Sequence, residues 1–303
     1  MFATPAGTRV PAVTADEMAA VDRAAEARGL AVVSMMESAG RALAETVREV
    51  AADRPDGSDG VDRRSDGPVV VLAGAGGNGG GGLCAARHLA NAGHEVRVVL
   101  DRDPADLTGA AATQHRILGA TDATVGTDAA ALAEATVVVD ALVGYGLTGA
   151  LRGRAAELVD AVPRVPTVSL DVPSGVDADT GAAPSDADAP RPRATGDEVA
   201  GDDHGARGRE TEDGDRSSRE VKPSGSRERQ RPGEPSEARR VAPGPAVDPD
   251  RTLTLALPKP GLATAGGDLE LADLGIPAGV YETAGVAPSH PFDGALRTPL
   301  DRI

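Results

Sequence analysis

Only one cysteine, Cys84, occurs in the 303 residues, so no intramolecular disulfide can staple the chain. Lysine is almost missing: Lys222 and Lys259 are the only two, and arginine carries the remaining permanent positive charge. No run approaches the roughly 18 apolar residues of a membrane span, and the first residues lack a charged-then-apolar leader pattern. A soluble cytoplasmic protein is therefore expected. A positive charge balance is absent too: the net charge is −16, which argues against the basic face of a nucleic-acid footprint. Carboxylate excess with lysine depletion resembles halophilic proteins of salt-saturated cytoplasm, where a charged surface stays soluble under strong screening. The acidity thus speaks of solvent rather than of partners.

What is abundant is glycine, and it is concentrated. Val69-Val-Val-Leu-Ala73 runs into Gly74-Ala-Gly-Gly-Asn-Gly-Gly-Gly-Gly82, where seven of nine residues are glycine. A helical pattern follows from Leu83 to Asn91, then Gly93 and a second β-branched run, Val96 to Leu100. This is a β-loop-α-β unit with its glycines at the carboxyl end of the first strand, where open parallel sheets bind ligands. Bare amides and a helix N-terminus can there face an anion. Gly74, Gly76 and Gly79 satisfy G-x-G-x-x-G, a weak signal alone; the bland reading is a flexible link. Cys84 falls on the first turn of the following helix with His88 one turn on, and a packed small residue is expected rather than an activated nucleophile.

Thr14 to Glu17 is a capping box opening a helix that Gly29 stops, and a second helix spans about 33–52. Met35, Met36, Ala39, Leu43 and Val47 recur on it at helical spacing and belong to the core. Residues 53–68, rich in Asp, Gly and Arg, are expected to form a surface loop. Strands at 69–73, 96–100, 136–142, 167–172 and 252–257 alternate with helices near 105–118, 129–135 and 153–162. That order predicts an α/β domain with a parallel sheet covered on both faces. Residues 181–246 interrupt it. They hold 14 acidic and 12 basic side chains and no Leu, Ile, Met or aromatic residue. Such a stretch cannot bury enough apolar area to offset chain entropy, so it is expected to be a disordered insertion in a single domain.

Three loops should converge on one sheet edge: the glycine loop with Asn78, the loop from Asp140 to Gly153, and Ser169 to Asp177 with Asp171 and Ser174. An ionised Asp at a strand end is costly unless paired, hydrated or bound to a cation. Two such Asp beside an amide and a hydroxyl make an oxygen-rich set that a hard cation accepts. Alternatively each Asp caps a following turn.

In order, these motifs resemble the NAD(P)H-hydrate epimerases, the YjeF N-terminal domain family. The shared pattern is a glycine loop with Asn, Asp-Ala-Leu-Val-Gly-Tyr-Gly-Leu147, Asp171-Val-Pro-Ser-Gly175, Thr254-Leu-Ala-Leu-Pro-Lys-Pro-Gly-Leu262 and Asp273-Leu-Gly-Ile-Pro277. Met35-Met-Glu-Ser-Ala-Gly40 is similar to the family's Leu-Met-Glu-Asn-Ala-Gly. The resemblance covers residues 11–283, leaving 284–303 as a C-terminal tail. It implies a Rossmann-like three-layer α/β/α sandwich with a mostly parallel sheet, often dimeric. The implied activity is interconversion of the R and S epimers of hydrated NADH and NADPH, with a separate dehydratase completing the repair. It assigns substrate contacts to Gly77, Asn78, Gly79, Gly80, Gly81, Gly144, Tyr145, Gly146, Leu147, Thr148, Gly149, Ala150 and Asp171. Asp171 would be catalytic, Asn78, Asp140 and Ser174 would bind K+, and Lys259 would shape the pocket. The chain departs from the family at Gly77 and Gly81, usually Asn and Asp, at Ser38, usually Asn, and at 148–150, usually Ser-Arg-Pro or similar. No fused dehydratase domain is expected from the 303 residues.

Two rivals remain at this level. Asp101 ends the second strand where an NAD-dependent dehydrogenase holds ribose, yet no second catalytic domain with a His or Tyr donor is visible. A non-catalytic nucleotide-binding or scaffold module is favoured by Gly77 and Gly81 and opposed by Asp140, Asp171 and Ser174.

Overall fold

The computed structural model describes residues 1–53, 67–185 and 243–303. The expected loop at 53–68 therefore lies mostly outside the described residues, as does 186–242 of the expected disordered insertion. The ends of that insertion are packed: Ser185 is buried, and a Cβ on Gly244 would lie 2.4 Å from Pro184 O.

β3 (Val69–Ala73), β6 (Val137–Ala141) and β7 (Thr167–Leu170) are buried at every residue. That fits their unbroken apolar runs and requires cover on both faces. With β4 (Val96–Leu100), β5 (Thr124–Gly126), β8 (Arg251–Leu255), β9 (Asp268–Ala272) and β10 (Arg297–Pro299) they form a sheet of order β10-β9-β8-β7-β6-β3-β4-β5. All pairings are parallel except β10 on β9. Alternate residues then face opposite layers. Val69, Val71 and Ala73 meet α2 (Val32–Ala52), α3 (Gly77–Asn91) and α4 (Gly109–Leu118) through Leu43, Val47, Leu83, Leu89 and Leu118. Val70, Leu72, Val99 and Val138 meet α5 (Gly153–Asp160) through Leu158 and Val159. The result is the three-layer α/β/α sandwich.

The expected helix at 105–118 is a 3-10 turn, Pro104–Asp106, followed by α4, because Gly109 takes φ 56 and breaks the run. The segment at 129–134 is likewise a 3-10 turn. The ends of the chain correct the 11–283 boundaries. β11 (Asp301–Arg302) pairs with β1 (Phe2–Ala3), which pairs with β2 (Arg9–Val10), and Phe2 is buried. Residues 284–303 are therefore no tail. They close one sheet edge through β10 and fasten the N-terminus through β11.

From β3 the chain proceeds outwards through β4 and β5, then returns to the other side of β3 with β6. The loops after β3 and β6 diverge at that switch point, which opens a crevice. Glycine allows the turn. A Cβ on Gly79 would lie 1.7 Å from Gly74 O, and one on Gly74 would lie 2.1 Å from Leu142 O. Gly79→Ala should therefore cost about 1–3 kcal/mol or more of stability, since backbone must move. An unchanged denaturant midpoint would show that the loop yields freely.

Candidate functional site

The crevice holds a cavity of about 420 Å³. Its floor is the glycine loop and the first turn of α3, whose N-cap, Gly76, provides no side-chain hydrogen bond. The leading amides are therefore left for a ligand, at the positive end of the helix dipole. Met35, Met36 and Ala39 of α2 and Met18 and Asp22 of α1 (Ala15–Ala27) form one wall; Gly144, Tyr145, Gly146, Asp171 and Lys259 form another.

Asp140, at the end of β6, is fully buried. Its Oδ1 accepts from Ser174 Oγ at 2.5 Å and Leu142 N at 3.3 Å; its Oδ2 accepts from Ser174 N and Ser169 Oγ, each at 2.8 Å. Ser169 is its neighbour across the β6–β7 ladder. Burial pushes this carboxyl above the ordinary carboxylate range, and the Ser174, Ser169 and Leu142 donors pull it part of the way back. None of these four partners is positively charged. Ser174 Oγ also accepts from Val143 N at 3.0 Å, which ties the β6 and β7 loops together.

One residue on, Gly144 lets two more groups approach. A Cβ there would stand 2.7 Å from Asp171 Oδ2 and 3.1 Å from Asn78 Oδ1. Both amide atoms of Asn78 are buried without a hydrogen-bond partner, which is costly unless a ligand completes them. An orphaned amide oxygen, a buried carboxylate lacking a countercharge and a hydroxyl are a donor set that fits a cation.

Asp171 follows β7 with φ 70, a left-handed backbone rare outside glycine. Its buried carboxylate accepts from Lys259 Nζ and from Leu255 N at 3.3 Å on one oxygen, and from Tyr145 N at 2.9 Å on the other. Lys259 is wholly buried, donates also to Leu255 O, and lies 5.5 Å from the Tyr145 ring centroid. Ala256, after β8, also takes a left-handed φ of 60. Two strained residues thus end neighbouring strands beside one buried ion pair, and such strain collects at functional sites.

Asp22, which no motif flagged, accepts a 2.5 Å hydrogen bond from the Tyr145 hydroxyl. Burial raises this carboxyl, opposed by the Tyr145 bond and Lys259 and reinforced by Asp171. Burial and the Asp22 contact also raise the Tyr145 hydroxyl.

Of the expected substrate contacts, Gly77, Asn78, Gly81, Gly144, Tyr145, Gly146 and Asp171 line the cavity. Gly79 and Gly80 do not. They are spent on packing, Gly79 against Gly74 O and Gly80 against Met36 Cε and Sδ. Leu147 packs on the opposite layer, Thr148 is exposed, Gly149 makes a turn at φ 72, and Ala150 is buried near Gly244. Asp101 lines the cavity, but its two oxygens are taken by Arg102 at 2.8 and 3.0 Å. Cys84 is buried and outside the cavity. Burial, with Glu37 beside it, pushes the thiol up to about 12, so it is no activated nucleophile.

Among the described residues no helix is long and apolar enough to cross a membrane. Comparison with known proteins agrees with the architecture. The YjeF-related protein N-terminus family matches residues 32–195. The chain is 36% identical over 94% of its length to an NAD(P)H-hydrate epimerase of Dehalogenimonas lykanthroporepellens, 90% of which is covered. It is 31% identical over 96% of its length to a bifunctional NAD(P)H-hydrate repair enzyme of Salinibacter ruber, covering 44% of that protein. The crystal structure of yeast ynu0 has the same fold, with a TM-score of 0.62 over 96% of this chain and 100% of that one at 18% identity. The chain belongs to the YjeF-related N-terminus family.

The Asp22–Tyr145 contact gives a pH-dependent prediction. Asp22's folded-state value is raised, so its contribution to stability is full below the unfolded value and is lost as pH rises through the folded one. Tyr145→Phe removes the bond that opposes this loss. The variant should be destabilised by about 1.5–3 kcal/mol at neutral pH, as for a hydrogen bond to a charged group, and by less in mild acid. Equal losses at both pH values in chemical denaturation would rule out this coupling.

Proposed function

We propose that the protein is an NAD(P)H-hydrate epimerase, an isomerase that interconverts the R and S epimers of hydrated NADH and NADPH. The buried Asp171–Lys259 pair facing the cavity carries this reading, because it sets an acid–base couple opposite an anion-binding helix start. The substrate pyrophosphate lies against the first turn of α3. The hydrated ring sits by Asp171. There the hydroxyl leaves its saturated carbon as water, taking a proton from the pair. The ring nitrogen's electrons support the resulting cation, which the neighbouring carboxylate stabilises. Water then adds to the other face and returns the proton, so the step is balanced and needs no oxidant.

Mixing the protein with the R epimer and following the epimer ratio should show relaxation faster than in matched buffer. Asp171→Asn should slow it by roughly two to four orders of magnitude. Normal turnover in that variant would leave Asp171 a structural cap and sink the mechanism.

We further propose that Asn78, Asp140 and Ser174 hold one potassium ion. One carboxylate among neutral oxygens suits a large monovalent cation, whereas a divalent site recruits several carboxylates. The ion supplies the positive charge that Asp140 otherwise lacks. Potassium should raise the unfolding temperature above that in tetramethylammonium at equal ionic strength, and Asp140→Asn should abolish the difference. The same increment in both proteins would assign it to general screening. The family resemblance extends the proposal to a homodimer acting with a separate dehydratase in the cytoplasm.

A further inference from the structure

Away from the cavity, α2 and α3 cross at Gly40, where a Cβ would lie 2.5 Å from Cys84 Sγ. Beside this crossing three side chains point at one another. Glu37 precedes Gly40 on α2, and Cys84 and His88, four residues apart on α3, share a helix face. A carboxylate oxygen, Sγ and a ring nitrogen all lie within 4.8 Å of each other. Glu37 Oε1 is 2.9 Å from His88 Nε2, and Glu37 Oε2 is 3.4 Å from Cys84 Sγ. Metal–donor bonds of about 2.0–2.3 Å in a tetrahedron put donors about 3.3–3.7 Å apart, so small rotamer adjustments suffice.

We propose that Glu37, Cys84 and His88 form a site for a divalent, borderline-soft cation of the zinc class, with its fourth position open to water. None of the three lines the cavity described above; Glu37 and His88 border a separate surface hollow of about 470 Å³. Half of the Glu37 side chain and a quarter of the His88 side chain are exposed, which gives an ion a route in.

A positive group already stands at this point. Arg87 Nη2 is 2.5 Å from Glu37 Oε2, 3.2 Å from Cys84 Sγ and 3.4 Å from His88 Nε2. The three donors thus already gather around a cation. The guanidinium fits imperfectly, since Arg87 Nε is buried with no partner. The metal takes its place, Arg87 turns out to solvent, and the Cys84 proton is released as the thiolate binds. The ion then clamps the helix that supplies Met35, Met36 and Ala39 to the cavity onto the helix that carries Asn78 and Gly81.

Because Cys84 is the only cysteine, cobalt(II) provides a residue-specific readout in the whole metal-free protein. One equivalent should produce a thiolate-to-cobalt charge-transfer band that zinc bleaches. The band should vanish in Cys84→Ser and be lost or much weakened in His88→Ala. Arg87→Met, which removes the competing cation, should bind several-fold more tightly. No band at saturating cobalt, in protein shown to be folded by circular dichroism, overturns the proposal. A band confined to Arg87→Met also overturns it for the natural chain, because the guanidinium then holds the position.

Discussion

Placing a carboxylate out of water at the end of a strand costs several kcal/mol unless donors or a counter-ion surround it, and this fold does so in two adjacent strands by different means. Asp140 is met entirely by neutral donors, from Ser169, Ser174 and Leu142. Asp171 is met by the ammonium of Lys259 and two amides. Each solution fixes backbone. The Ser174 hydroxyl binds Val143 N as well as Asp140, so the β6 and β7 loops cannot separate without uncovering a buried charge. Lys259 is drawn in from beyond β8, bringing that connection and its left-handed Ala256 to the same point. The convergence of the loops is thus the condition on which the two charges are buried.

Glycine solves the complementary steric problem. The α3 start lies so close to β3 and β6 that Gly74, Gly79 and Gly82 would drive a Cβ into Leu142 O, Gly74 O or Ala141 Cβ. These glycines bring the helix N-terminus to the floor of the crevice, and others leave room there. At Gly77 a Cβ meets nothing within 4 Å, and at Gly81 it meets only the end of Leu170 closely. The loop therefore divides into positions fixed by packing and positions facing the cavity, although all carry the same residue.

This division explains what was legible in the sequence. Unbroken apolar runs made β3, β6 and β7 plain, and the three loops that follow strands foretold Asn78, Asp140, Asp171 and Ser174 as neighbours. Identical glycines could not reveal that Gly79 and Gly80 pack while Gly77 and Gly81 line the cavity. Asp22 was invisible for another reason: it lies on the polar-looking face of α1, far along the chain, and only the fold brings it to Tyr145. The two-residue strands β1 and β11 carry too short a pattern for periodicity, so residues 284–303 looked like a tail. Cys84 and His88 did announce a shared face, but Glu37, which completes that cluster, comes from a different helix.

The departures from the family pattern can now be weighed against the network they leave behind. Asn and Asp are usual at the places of Gly77 and Gly81, and both positions border the cavity. Neither touches the Asp171–Lys259 pair or the donors around Asp140. At Gly81 the one close neighbour of an added side chain is the Leu170 methyl at 2.8 Å, the mobile end of a leucine. Groups that only hold a substrate act on ground state and transition state alike, whereas an acid–base pair acts on the reacting bond. On the proposed mechanism, the polar groups absent at Gly77 and Gly81 would bear on substrate binding rather than on the Asp171–Lys259 pair. Keeping Lys259 wholly buried against Asp171 holds the β7 and β8 ends together at a desolvation cost that packed apolar side chains would avoid.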